Sequence, residues 1–155
     1  LPIWLLPEPE RQFYMSGEAF VKEWIIKVRN DVPDAPVLVT AGGLLHYFEE
    51  NKVISLLRMI GQSGNMEVVF DTVNKKGMAM MQKKYMKQVG HADAQMFFYV
   101  DAAKELAAKI RGNVKVIAEE PYYRYIPKNG LKLSTKVSMA VSDQFKMVKM
   151  IHLKL

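Results

Sequence analysis

Short unbroken apolar runs, separated by stretches with helical spacing, constrain this chain more than any other feature. That alternation suits a parallel sheet with helices packed on it and few other architectures. Pro36-Val-Leu-Val-Thr-Ala41 is a continuous run of the kind buried on both faces of such a sheet, and it ends in Gly42-Gly43. Met66–Asp71 and Val114–Glu119 repeat the pattern, and Phe13–Gly17 reads as a shorter strand ahead of them. Between the runs, Phe20, Val21, Trp24, Ile25 and Val28 form one stripe of a helix that Pro33 and Pro36 stop. Val53, Ile54, Leu56, Leu57 and Ile60 point inward from a second helix ending near Gly61. Gly77–Val89 is a third, with Met78, Met81 and Tyr85 on one face. Asp101 is the expected N-cap of a fourth, which turns Leu106, Ala107 and Ile110 inward and ends about Gly112. After a tyrosine-rich loop from Pro121 to Gly130, Leu131–Asp143 reads as a fifth helix.

The closing stretch, Phe145–Leu155, differs from the solid runs. Met147, Lys149, Ile151 and Leu153 alternate with Lys146, Val148, Met150, His152 and Lys154, which suits an antiparallel strand. No repeat or linker divides the 155 residues, so the chain is read as belonging to one α/β domain.

Composition removes several function classes. There is no cysteine, which excludes a disulfide scaffold and a thiolate zinc site and fits a reducing cytoplasm. The apolar runs are strand-sized and no basic-then-apolar leader stands at the front, so a cytoplasmic protein without a membrane partner is expected. The formal net charge is +6, but it comes mostly from scattered lysines such as Lys75, Lys83, Lys128, Lys136, Lys149 and Lys154. Solvated lysine faces account for that spread better than a nucleic-acid surface, which clusters arginines among aromatics.

Three segments carry a resemblance. Leu5-Leu-Pro-Glu-Pro-Glu-Arg11 is followed by Phe13-Tyr-Met-Ser-Gly-Glu-Ala-Phe20 and Trp24; then come Pro36-Val-Leu-Val-Thr-Ala-Gly-Gly-Leu-Leu-His-Tyr-Phe48 and Glu67-Val-Val-Phe-Asp71. Together they resemble the S-adenosylmethionine-dependent class I O-methyltransferases of the leucine carboxyl methyltransferase and polyketide O-methyltransferase family. The resemblance spans nearly the whole chain. It implies the C-terminal part, residues 1–155, of a single Rossmann-like methyltransferase domain, incomplete, with strands three to seven present and the last antiparallel. The glycine-rich loop after the family's first strand, and the acidic residue that ends its second, are not in this sequence. Strands four, five, seven and six should stand side by side in that order. The free edge of strand four should then be filled by other chain, by Phe13–Gly17 moving inward, or by a second copy in a homo-oligomer.

The same resemblance implies the site. S-adenosylmethionine is the expected cofactor, and Glu18, Ala19, Ala41, Gly42 and Gly43 are the expected binding residues. Glu18 would accept the adenine amino group and the Ala19 amide would serve the ring; alternatively Glu18 caps the following helix. Ala41, Gly42 and Gly43 stand at the carboxyl end of a parallel strand, where open α/β sheets place their ligands. Gly42 occupies the place of the family's Glu, which would face the methionine end of the cofactor.

His46 is a candidate general base or a packed residue, and Tyr47 a packing residue with a polar handle. Tyr122, Tyr123, Tyr125 and Arg124 could line an acceptor pocket or close a loop over the core. His91 and His152 lack ligand spacing, so no metal site is read. No catalytic side chain is assigned, because methyl transfer depends on positioning more than on a base. The implied function is O-methylation of a hydroxyl or carboxyl, on a small molecule or a peptide carboxylate. The alternative is an inactive remnant serving as an interaction module.

Overall fold

The computed structural model describes residues 14–85 and 95–155. Four strands form one sheet: β1 (Val37–Ala41), β2 (Met66–Val73), β3 (Lys115–Pro121) and β4 (Val148–Lys154), in the order β1-β2-β4-β3. β1 and β2 are parallel, while β4 runs antiparallel to both of its neighbours. The order is the block expected from the sequence, and with its helices it makes a Rossmann-like α/β fold. Among the described residues five α-helices accompany it: α1 (Glu23–Asp31), α2 (Glu50–Gly61), α3 (Lys75–Met80), α4 (Ala103–Ile110) and α5 (Leu133–Gln144). α3 continues as one π turn over Met81–Tyr85, and the remainder of the expected Gly77–Val89 helix lies outside the described residues.

One face of the sheet carries the core. Register pairs Val39 with Val68, Val68 with Leu153 and Phe70 with Ile151, so these side chains share a face. Against them pack Ile25 of α1, Val53, Leu57 and Ile60 of α2, and Leu106 and Ile110 of α4. Phe70, Ile151 and Leu153 are wholly buried. Arg29 ties the end of α1 to the turn before β2, donating to the carbonyls of Ser63 (3.0 Å), Ala35 (2.7 Å) and Asn65 (3.2 Å).

Several expectations need correction. Tyr14–Gly17 is irregular rather than a strand, and Phe13 lies outside the described residues. The described residues therefore supply four strands, not five. β1 is not buried on both faces: Leu38 is 57% exposed and Thr40 is exposed, since nothing described covers that side. Nor does Tyr14–Gly17 fill the open edge, and β2 is the sole partner of β1 among the described residues.

Asp101 does not cap α4. The helix begins two residues later, at Ala103, whose N–H donates to Glu119 Oε2 at 3.1 Å. Asp101 instead accepts the Lys75 N–H at the start of α3 (2.9 Å), where Asn74 also caps through the Gly77 amide (2.7 Å). Lys149, counted above among the solvated lysines, is buried. It is in phase with Ile151 and Leu153, and its Nζ reaches Glu119 Oε1 and the Asp101 carbonyl, both at 2.7 Å. Burial alone would raise the Glu119 carboxyl, but the Lys149 bond, the Ala103 N–H and nearby lysine charge outweigh it and hold the carboxyl below its ordinary value.

Candidate functional site

The parallel pair β1–β2 ends where Ala41 stands beside Phe70. Carried one residue further, the register sets Gly42 beside Asp71. Gly43 then turns with φ +65°, the left-handed region that glycine enters without cost. Its N–H donates to Asp71 Oδ1 at 2.6 Å. The turn after β1 is thus pinned to the carboxyl end of β2 by a charge-assisted bond. Gly42 and Gly43 are exposed, and a Cβ at Gly42 would meet nothing within 4 Å.

A short 3-10 turn, Leu45–Tyr47, follows. The His46 carbonyl accepts from the Phe97 (2.8 Å) and Phe98 (3.3 Å) amides, which docks this turn on the segment leading to α4. The His46 ring is buried against Tyr47, with centroids 4.3 Å apart. Burial pushes the imidazole pKa below its usual 6.5, with the Asp71 charge opposing in part. Its burial and its contact with the Tyr47 ring fit the packed residue of the two readings above.

Glu18 and Ala19 lie together on the exposed segment before α1, held by the Trp24 indole N–H, which donates to the Ala19 carbonyl at 2.9 Å. Glu18 accepts weakly from the Phe20 amide (3.4 Å); α1 begins only at Glu23, so this is a local turn and not a helix cap. Glu18 lines a cavity of about 580 Å³ together with Phe20, Phe48, Asn51 and Lys52. Phe20 and Phe48 meet edge-to-face, 4.6 Å between centroids at 65°, and so join the Glu18 segment to the loop beyond Gly43. The five expected residues therefore fall into two groups, Glu18–Ala19 and Ala41–Gly43, linked through that aromatic pair.

Sequence reasoning passed over Asp71 as a site residue. The signal was present, because an acid closing an apolar run marks the carboxyl end of a parallel strand. In the tyrosine loop Arg124 pairs with Glu120 and lies over the Tyr125 ring, and the Tyr123 amide donates to Asp143 of α5 (3.0 Å). Among the described residues no three His, Asp or Glu side chains gather as metal ligands, and His91 is outside them. No described helix is long and apolar enough to cross a membrane.

No family model matches the chain, and no curated protein matches it. Among solved structures it is similar to a DUF574 family protein from Streptomyces avermitilis, with a TM-score of 0.59 and 10% identity. The match covers 91% of this chain and 54% of that protein, so the chain spans about half its length. At this identity the likeness shows the fold alone, a Rossmann-like α/β arrangement held in common.

Proposed function

We propose that the chain is the distal part of an S-adenosylmethionine-dependent O-methyltransferase domain, acting on a hydroxyl or carboxyl of a small-molecule or peptide-carboxylate acceptor. The observation that carries this reading is the Ala41-Gly42-Gly43 turn at the carboxyl end of a parallel strand, with the Gly43 amide pinned by Asp71. The residues present fit two ends of the cofactor. Open space at Gly42 and the left-handed Gly43 allow the backbone to approach the methionyl end. Glu18, beside the Phe20–Phe48 pair, offers an acceptor and an apolar wall to a purine amino group. When bound, the cofactor would supply an activated methyl on sulfur, and these residues would orient it. With no glycine-rich loop and no ribose acid in the sequence, weak binding is expected from the 155 residues alone, since each lost bond of that kind removes about ten-fold or more. Titration with S-adenosylhomocysteine, followed by amide NMR, tests the reading. Shifts at Gly42, Gly43 and Glu18 support it; an unmoved spectrum at millimolar ligand overturns it.

One observation favours a second reading, an inactive remnant serving as an interaction module. Leu133, Val137, Val141 and Phe145 are all exposed and recur every four residues, an outward apolar ridge along α5. The open edge of β1 offers a further place for a second copy to pair. Self-association in sedimentation, abolished by Leu38→Lys or Val137→Lys with no cofactor bound, is the expected behaviour under that reading.

A further inference from the structure

Position 42 lacks the carboxylate that the resemblance implies at the methionyl end of the cofactor, yet the structure has a carboxylate next door. Asp71 follows Phe70, the register partner of Ala41, and so stands beside Gly42 on the adjoining strand. Residues paired across a sheet lie on the same face, so a side chain at either position occupies nearly the same ground. The Asp71 oxygen Oδ1 holds the Gly43 amide at 2.6 Å, which fixes where the carboxylate stands relative to the turn. No lysine, arginine or histidine forms an ion pair with Asp71 among the described residues. Its cationic neighbour among the described residues is the His46 ring, which burial disfavours in the charged form, so a cationic group arriving at the exposed Gly42–Gly43 turn would meet an available carboxylate charge. We propose that Asp71 supplies, from the neighbouring strand, the carboxylate missing at position 42, and that it receives the α-ammonium of the cofactor's methionyl end.

This rests on the cofactor reading above. It makes Asp71 a binding residue with two separable duties: one oxygen sets the turn, and the charge takes the ammonium. Asp71→Asn separates them, because the side-chain amide keeps an acceptor for the Gly43 N–H while losing the charge. The test measures affinities of the 155-residue chain for two probes by NMR titration. S-adenosylhomocysteine carries the ammonium, and 5′-methylthioadenosine lacks the whole amino-acid end. Asp71→Asn should weaken S-adenosylhomocysteine about ten-fold or more, the worth of a charge-assisted bond, while leaving methylthioadenosine within about two-fold. Adding Gly42→Glu to Asp71→Asn should recover most of the loss, since space at Gly42 is open. On the wild-type background the same change should gain less, because the charge is already present.

Equal weakening of both probes, undiminished S-adenosylhomocysteine binding in Asp71→Asn, or no recovery by Gly42→Glu would each overturn the role of Asp71 while leaving the cofactor reading intact. A wild-type chain that binds neither probe would overturn both together. Should Asp71→Asn lose its fold, the single Gly42→Glu variant decides: a gain of ten-fold or more on the wild-type background would show that position 42 was unfilled, and would sink the inference.

Discussion

The two faces of the sheet are built from the same alternating strands and end in opposite conditions. On one, Val68, Phe70, Ile151 and Leu153 meet α1, α2 and α4 and are closed to solvent. On the other, Leu38 and Ile117 stand more than half exposed, and Glu67 bridges to His152 at 2.7 Å across the strands. Strand periodicity sets which residues share a face, but it does not say whether anything covers that face. The covered face stabilises the fold; the open face ends at Asp71 and the Gly42–Gly43 turn, where the proposed contact with the methionyl end would be made.

Breaking the covered face should cost most. Phe70→Ala removes a wholly buried ring from a close-packed site and should destabilise by about 4 kcal/mol, measurable in urea unfolding. A cost below about 1 kcal/mol would mean that the two faces are more alike than their burial implies. Next comes the buried cation. Lys149→Met keeps the bulk but leaves Glu119 Oε1 and the Asp101 carbonyl without their buried cation, an expected loss of about 3 kcal/mol. Because the Glu119 carboxyl is held low in the fold, its contribution is full above the ordinary carboxylate range and disappears as pH falls through the depressed value. In Lys149→Met that acid-side dependence should shrink.

A smaller effect is expected at His46, in the turn that follows β1. The His46 imidazole sits below its ordinary 6.5 in the fold, so the folded state binds fewer protons than the unfolded chain near that pH. Stability should be full above about 6.5 and decline as pH falls below it. Between about pH 7.5 and about pH 5.5 the thermal midpoint of the wild-type protein should fall further than that of His46→Gln. Equal slopes would place the ring in solvent. The smallest effect belongs to the open face, where Leu38→Ala should change stability by no more than about 0.5 kcal/mol. A loss of about 2 kcal/mol there would mean that the face is covered after all.

Much of this plan is legible in the residues, and the misreadings share a cause. The solid runs and the imperfect alternation near the end placed four strands and suited the last to antiparallel pairing, while their order was what the resemblance implied. What failed was anything depending on a distant neighbour. Pro36–Ala41 reads as doubly buried, yet β1 is an edge strand, because an apolar run does not reveal a missing cover. Asp101 has the right chemistry for a cap and does cap a helix, but it is α3, 26 residues earlier. Lys149 looks like one more surface lysine, although its phase with Ile151 and Leu153 pointed inward; Glu119, on another strand, is what makes that burial tolerable. At the candidate site the glycines were visible through position together with the resemblance, whereas the Asp71–Gly43 bond spans 28 residues and leaves no local trace.

The placement of β4 also has a consequence for how the molecule comes into being. Translation delivers it after the other three strands, yet it lies between β2 and β3 and is hydrogen-bonded to both. Until residues 148–154 emerge, β1 and β2 can pair locally, but β3 has no neighbour in the sheet. Ile151 and Leu153 are also absent from the core that α2 and α4 must close upon. Assembly is therefore gated by the last of these strands to be made, not by the first, and its decisive contacts are long in sequence and slow to find. A nascent chain halted before Val148 would expose the β1–β2 pair with a bare inner edge and a lone β3, the form in which such a protein is most exposed to chaperones and to aggregation.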